Sequence, residues 1–297
     1  NPLFLCFLAI LVVRALISPM GEVRMMEAEG AYASGAFFTG VLEGYNTMDA
    51  LASLAFGIIV VNVIRGLGVE EPEHTAKNTV KAGIFSSLLM AAIYLLVTLV
   101  GAQSRAVIGV SENGGVALAG IAEHYFGAAG ALILAATVTL ACLKTAVGLI
   151  TSCGETFEEM VPKGPSYKVW AVGFCVISFV IANLGLNSII AYSVPVLMFL
   201  YPLAITLILL TIFGKCFGND AVMYRWVTGF TAVASVVDFV NALPEAAQKF
   251  LHLGTFVETA KSILPFADLG FGWVCPALLG LVIGTVHVMI RKKEVRG

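Results

Sequence analysis

The sequence predicts an all-α fold, a polytopic bundle of about eight membrane-crossing helices. Three observations carry that reading. Of the 297 residues, 59% are hydrophobic and 12% are charged, against roughly 25% charged in an average soluble domain, and the mean hydropathy is +0.94. The apolar residues gather into long runs, and a bilayer-crossing helix needs about 20 such residues. No segment sustains the alternation that the strands of an outer-membrane barrel require.

The runs fall at about 2–19, 42–65, 79–102, 127–153, 168–186, 188–213, 222–241 and 271–290, each near the length that spans the hydrocarbon core. The turn between the fifth and sixth, around "NLGLN", is tight. Two more polar segments, about 20–40 and 242–270, are each long enough to hold a short surface helix. Pro195 and Pro202 fall inside the sixth run, where a missing N–H and a ring clash should bend the helix. The chain opens on Asn1 without an initiator Met. No basic n-region or cleavage site marks a signal peptide, so the sequence is expected to begin partway through a larger protein.

Loop charge gives an orientation. Arg65, Lys77, Lys81, Lys163, Lys168, Lys215 and Arg225 lie in alternate loops, and Arg291, Lys292, Lys293 and Arg296 in the tail. The opposite side holds only Arg24, Arg105, Lys249 and Lys261. The bias puts the C-terminus in the cytoplasm, and an even number of spans puts the start there too.

Several function classes are disfavoured. The net charge is −2 and no basic tract suggests a nucleic-acid partner. Cys6, Cys142, Cys153, Cys175, Cys216 and Cys275 form no CxxC pair, so neither a disulfide framework nor a zinc site is implied. HExxH and GxSxG are absent, and His74, His124, His252 and His287 are dispersed. An enzyme is not expected, nor a cofactor.

The informative residues are polar groups in the wrong solvent, because a charge at bilayer depth costs from about 2.5 kcal/mol upward. In the second run, Glu43, Asn46, Thr47, Ala50, Ser53 and Gly57 share a helical face, and Asp49 lies one turn before Ser53. One reading is a small-residue packing face with Gly40 and Gly44 as a GxxxG contact. The other is a discontinuous helix, whose unwound backbone offers N–H and C=O groups to a substrate or ion and is tolerated only where it lines a cavity. In the fourth run Thr137, Ala141, Lys144, Thr145, Gly148 and Ser152 form a second stripe at helical spacing. Lys144 lies mid-span. It is read either as half of a structural ion pair or as part of an ion or substrate site, and its ammonium is expected to find Asp49 or freed carbonyls. Asp238 and His287 lie nearer span ends, where interfacial water can reach them. Arg14 can snorkel.

Four blocks carry a family resemblance: "AFFTGVLEGYNTMDALASLAFGIIVVNVIR" (36–65), "NGGVALAGIAEHYFG" (113–127), "ACLKTAVGLITSCGETF" (141–157) and "NLGLNSIIAYSVPVLMFLYP" (183–202). Over nearly its whole length the chain resembles the branched-chain amino acid:cation symporters (LIVCS family, BrnQ type). The resemblance implies a partial LeuT-type fold comprising family helices five to twelve, in one N-terminally truncated transporter domain of a bacterial cell membrane. It implies that the second run is the family's broken sixth helix, with Gly44, Tyr45, Asn46, Thr47, Met48 and Asp49 as substrate-binding residues. It implies that the fourth run is the eighth helix, with Ala141, Lys144 and Thr145 at the ion-coupling position. Thr145 suits Na⁺ there. Lys144 departs from the pattern, since an ammonium has no lone pair to give a cation; it can instead stand in for the ion and make transport proton-coupled. Secondary uptake of leucine, isoleucine and valine with Na⁺ or H⁺ follows from the resemblance. A transporter of another substrate class, coupled or uncoupled, and a non-transporting membrane scaffold remain the alternatives.

Overall fold

The structure is a computed structural model and describes residues 2–23, 27–68 and 71–294. Arg24 and Arg296, which enter the charge count, lie outside the described residues, as do the side chains of Lys292 and Lys293. Among the described residues eleven α-helices run in order: α1 Pro2–Ile17, α2 Tyr32–Asn46, α3 Asp49–Gly66, α4 Pro72–Ile108, α5 Gly114–Met160, α6 Tyr167–Ala182, α7 Leu186–Ile212, α8 Ala221–Ala242, α9 Glu245–Phe250, α10 Gly254–Ile263 and α11 Val274–Glu294. No strand occurs among the described residues. Among the described residues four helices, α4, α5, α7 and α11, are long and apolar enough to cross a membrane, and the shorter α1 and α6 are apolar, with Arg14 and Lys168 as their charged residues. Large apolar side chains such as Phe85 (70% exposed) and Phe179 (72%) stand open along them. Lipid supplies the solvent such surfaces need. The chain is a multi-pass helical membrane protein.

The eight apolar runs map onto these helices with instructive differences. The second run is two helices, α2 and α3, and α2 begins at Tyr32, inside the segment expected to be a polar connection. The fourth run begins at Gly127, and there α5 is interrupted (φ 62, ψ −160). The 242–270 segment holds α9 and α10. Pro195 and Pro202 are both buried inside α7, which runs on as one helix through them. The Thr206 hydroxyl donates to the carbonyls of Pro202 and Leu203 (2.9 and 3.0 Å).

The described residues fall into two compact units. Unit 1 comprises residues 1–28 and 55–183. In it α1 lays Leu8, Leu11, Val12 and Ala15 against Val100 of α4 and Ile121, Ala122 and Leu134 of α5. The α5–α6 hairpin closes with Phe157 between Trp170 and Phe174 (ring centroids 5.1 and 5.2 Å), and Glu158 accepts from the Tyr167 N–H at 2.9 Å. The Asn113 side chain caps α5 by accepting from the Val116 N–H (3.1 Å), leaving one fewer orphan amide in the first turn.

Unit 2 comprises residues 29–54 and 184–297. Its core is α7, α8 and α11 around Leu210, Met223, Val227, Ala234, Trp273 and Ala277. Asp220 caps α8 by accepting from the Val222 N–H (3.0 Å) and pairs with Arg291 of α11. One turn earlier on α11, His287 Nδ1 accepts from Trp226 Nε1 (3.0 Å). Small residues set the helix spacing: a Cβ at Gly280 would stand 2.8 Å from the carbonyl oxygen of Trp226 and 2.9 Å from Val227 Cα. Both obstacles are backbone and cannot swing away. Gly280→Leu is therefore expected to cost at least the ~1–3 kcal/mol of ordinary overpacking. A lower Tm of the complete protein in detergent checks this, and an unchanged Tm would refute the close α8–α11 approach.

Candidate functional site

The second apolar run leaves the helix where its polar residues cluster. Asn46 ends α2, Thr47 caps it, and Met48 takes a left-handed conformation (φ 60) before α3 restarts at Asp49. Local chemistry favours the stop. The Thr47 hydroxyl donates back to the Gly44 carbonyl (2.8 Å) and the Asn46 side-chain amide to Glu43 (2.8 Å), so short polar side chains take up groups that a continuing helix would use. Met48 bears a real cost, on the order of 1–2 kcal/mol for an L-residue in that region. Asp49 sits in the first turn of α3, where a carboxylate is favoured by the helix dipole.

The GxxxG reading fails. Neither Gly40 nor Gly44 has a heavy atom within 4 Å of where a Cβ would stand, so no close helix contact among the described residues uses them. What holds the break is aromatic. Tyr45, 5% exposed, stacks on Tyr201 of α7, 3% exposed, with ring centroids 4.4 Å apart and planes at 11°. Val41, Leu42, Ala50, Leu51 and Met198 pack around the pair. The Tyr201 hydroxyl lies beside the backbone of Met48 and Ala50 and near the Asp49 carboxylate, although none of these approaches closes a hydrogen bond of full geometry. On the other side, the Tyr45 hydroxyl lies beside the Trp273 indole N–H and close to Asp238.

Unit 2 thus brings Gly44, Tyr45, Asn46, Thr47, Met48 and Asp49 together at one interruption. Tyr45 is buried, Asn46 and Asp49 are half-buried, and Gly44, Thr47 and Met48 are exposed. Ala141, Lys144 and Thr145 lie in unit 1, on α5. The Thr145 hydroxyl donates to the Ala141 carbonyl (3.1 Å), which leaves its oxygen lone pairs free to face a cation. Lys144 is exposed, and within unit 1 no described residue makes a hydrogen bond or ion pair with it. Its helix face carries no acid within one turn, and a lone ammonium on it has nothing to pair with locally.

Sequence reasoning missed Tyr201, Trp273 and the burial of Asp238. Asp238 does not reach interfacial water; it is 5% exposed, because the 267–273 segment folds over the end of α8. A Cβ at Gly272 would stand only 3.4 Å from Asp238 Oδ1. A groove of about 720 Å³ between α8, α10 and α11 is lined by apolar side chains apart from Arg225. It offers no converging polar groups and lies away from the interruption. No group of three or more His, Cys, Asp or Glu side chains occurs among the described residues.

An interrupted helix inside a membrane bundle is a feature that many transporters share. The family described as branched-chain amino acid transport protein matches residues 1–291, and the chain belongs to that family. It is 47% identical over 294 residues to the branched-chain amino acid permease BrnQ of Lactobacillus delbrueckii subsp. lactis, covering 99% of this chain and 65% of the relative. It is 37% identical to the branched-chain amino acid permease BraB of Bacillus subtilis (96% and 62% covered). It is 35% identical to the branched-chain amino acid transport system 2 carrier protein of Pseudomonas aeruginosa (96% and 63%). The chain therefore spans somewhat less than two thirds of the length of these relatives. No solved structure matches it.

The left-handed Met48 gives a local test. Met48→Gly, which removes the Cβ clash, should raise stability by up to about 1 kcal/mol. Met48→Ile, β-branched at positive φ, should lower it. Thermal unfolding of the two variants of the complete protein in detergent checks the pair; the reverse order would mean that the helix is continuous through Thr47.

Proposed function

We propose that the complete protein takes up branched-chain amino acids across a bacterial cell membrane, driven by a cation gradient, by alternating access around the interruption at Thr47–Met48. In this reading the chain is one transporter domain of LeuT type, with its C-terminus cytoplasmic. The interruption itself carries the reading: it falls in the longest of the four blocks that carry the family resemblance, and it is held by buried aromatic packing rather than left as a loose end.

The chemistry follows from the two helix ends. The last carbonyls of α2 and the first amides of α3 lack intrahelical partners and so can hold a zwitterion. A substrate carboxylate suits the amide end, but Asp49 already brings a negative charge to that end. Like charges repel, so Asp49 is assigned to the substrate ammonium or to the coupling cation, and the remaining amides to the carboxylate. An apolar wall would select the side chain. One methylene changes affinity by only ~1–3 kcal/mol, so leucine, isoleucine and valine should compete.

Lys144 favours a second reading of the coupling ion. Thr145 and the carbonyls around it suit Na⁺. An ammonium one residue away repels it, and makes H⁺ the alternative.

Three measurements test these assignments on the complete protein in proteoliposomes. Radiolabelled leucine uptake should saturate and be inhibited by isoleucine and valine; uptake of lysine with none of leucine would reject the substrate class. Asp49→Asn should raise the leucine KM by about tenfold or more, as loss of a charged hydrogen-bond partner does; an unchanged KM would remove Asp49 from the site. Lys144→Thr, which restores a hydroxyl, should increase dependence on Na⁺. If wild-type uptake already collapses when choline replaces Na⁺ at every pH, Lys144 is not an ion surrogate.

A further inference from the structure

Among the described residues, Asp238 is a carboxylate with no counter-charge beside it. It is 5% exposed, and its Oδ2 has no hydrogen-bond partner. It lies in the last turns of α8, at the negative end of the helix dipole, which disfavours an anion. Among the described residues, the basic groups of α10 and α11 are engaged elsewhere. His287 and Arg291 of α11 meet Trp226 and Asp220 at the far end of α8. Lys261 of α10 reaches Asp268 at 3.8 Å. The titratable group that does face Asp238 is Tyr45 of α2, with Tyr201 of α7 stacked behind it.

Two more buried polar atoms share this region without partners, the Tyr45 hydroxyl and the Trp273 indole nitrogen. An isolated buried anion costs several kcal/mol, and structural carboxylates avoid that cost by pairing. This one does not pair. A metal cation fits poorly, because the indole nitrogen offers a hydrogen and no lone pair and the tyrosine hydroxyl is a weak ligand beside it. A proton fits well. Bound to Oδ2, it removes the charge and turns an unpaired acceptor into a donor.

We propose that Asp238 is a proton-binding site of the transporter, linked to the α2–α3 interruption through Tyr45. Protonation and deprotonation change the charge beside the Tyr45 hydroxyl. Tyr45 stacks on Tyr201, and Tyr201 lies against the backbone of Met48 and Ala50. The charge state of Asp238 therefore bears on the segment that the proposed substrate touches. No bond other than O–H forms or breaks: the proton comes from one side of the membrane and leaves to the other or returns. The inference rests on the transport reading for its consequence, but not for the existence of the site.

The test uses the complete protein. Initial leucine uptake at constant Na⁺ should depend on pH, approaching tenfold per unit on one side of its midpoint, as one titrating proton requires. Asp238→Asn should flatten that profile to within about twofold, whatever its level of uptake. Asp238→Glu should keep a titration with a displaced midpoint. Independently of transport, infrared difference spectra of the purified wild type should contain a carboxylic-acid carbonyl band that disappears as pH rises, is absent in Asp238→Asn and is shifted in Asp238→Glu. A variant profile parallel to that of wild type, or a wild type lacking the band, overturns the proposal and leaves branched-chain transport standing. A protein with the band but without saturable leucine uptake at any pH rejects the transport reading and keeps Asp238 as a proton site. Should Asp238→Asn fail to fold, the wild-type band and its shift in Asp238→Glu decide alone.

Discussion

The structure depends on how a broken helix is made tolerable in lipid. Hydrocarbon offers no hydrogen bonds, and each unsatisfied backbone group costs several kcal/mol. A chain that leaves the helix at Thr47–Met48 must therefore be held there by something other than solvent. The Tyr45–Tyr201 stack does this. It fixes the last turn of α2 against α7, and it sets a hydroxyl beside the restart of α3. The strain at Met48 persists because the two flanking helices are each anchored, α2 through Tyr45 and the start of α3 through Ala50 and Leu51, to the same patch of α7. Without that patch, Met48 would relax into the ordinary helical region and close the opening.

Much of the fold was legible because apolar run length is a strong signal in a membrane protein. The runs at 168–186, 188–213 and 222–241 lie within a few residues of α6, α7 and α8. The interruption at Thr47–Asp49 was legible as one of two readings of its polar residues, whereas the break at Gly127 was seen only as the start of an apolar run. What could not be read was the length of helix beyond the greasy core. The α4 helix begins at Pro72, seven residues before its apolar run, because Pro at the first turn and a charged first segment continue a helix into water as readily as into lipid. The early start of α2 has a similar origin. "YASGAFF" is too polar to count as a span, yet nothing in it stops a helix, although Gly35 bends it (φ −151, ψ 40).

The candidate site was legible in part. Gly44 to Asp49 announced themselves as polar groups in an apolar context. Tyr201 and Trp273 did not, because aromatic residues are at home in a membrane helix and only contact reveals which of them carry a polar duty. Asp238 was visible as a charge, but its position near the end of α8 suggested water. The 267–273 segment then folded back over it through left-handed turns at Phe266 (φ 65) and Gly270 (φ 74). Such long-range return of a loop leaves no periodic trace.

Environment divides the two carboxylates of unit 2 that flank Tyr45 and Tyr201. Asp49 begins a helix, where the positive dipole end and adjacent amides hold its charge. Asp238 ends one, where the dipole opposes its charge and apolar packing removes water. The same chemical group is thus set up for opposite duties. Asp49 is placed where the proposed substrate ammonium or cation would be attracted, and Asp238 is the group proposed to exchange a proton. The stacked tyrosines lie between them, one hydroxyl near each carboxylate. A change of charge at either end alters what the facing hydroxyl can donate to, and so bears on the packing that keeps the interruption open. In the proposed reading, coupling between substrate and ion would need no relay longer than those two rings.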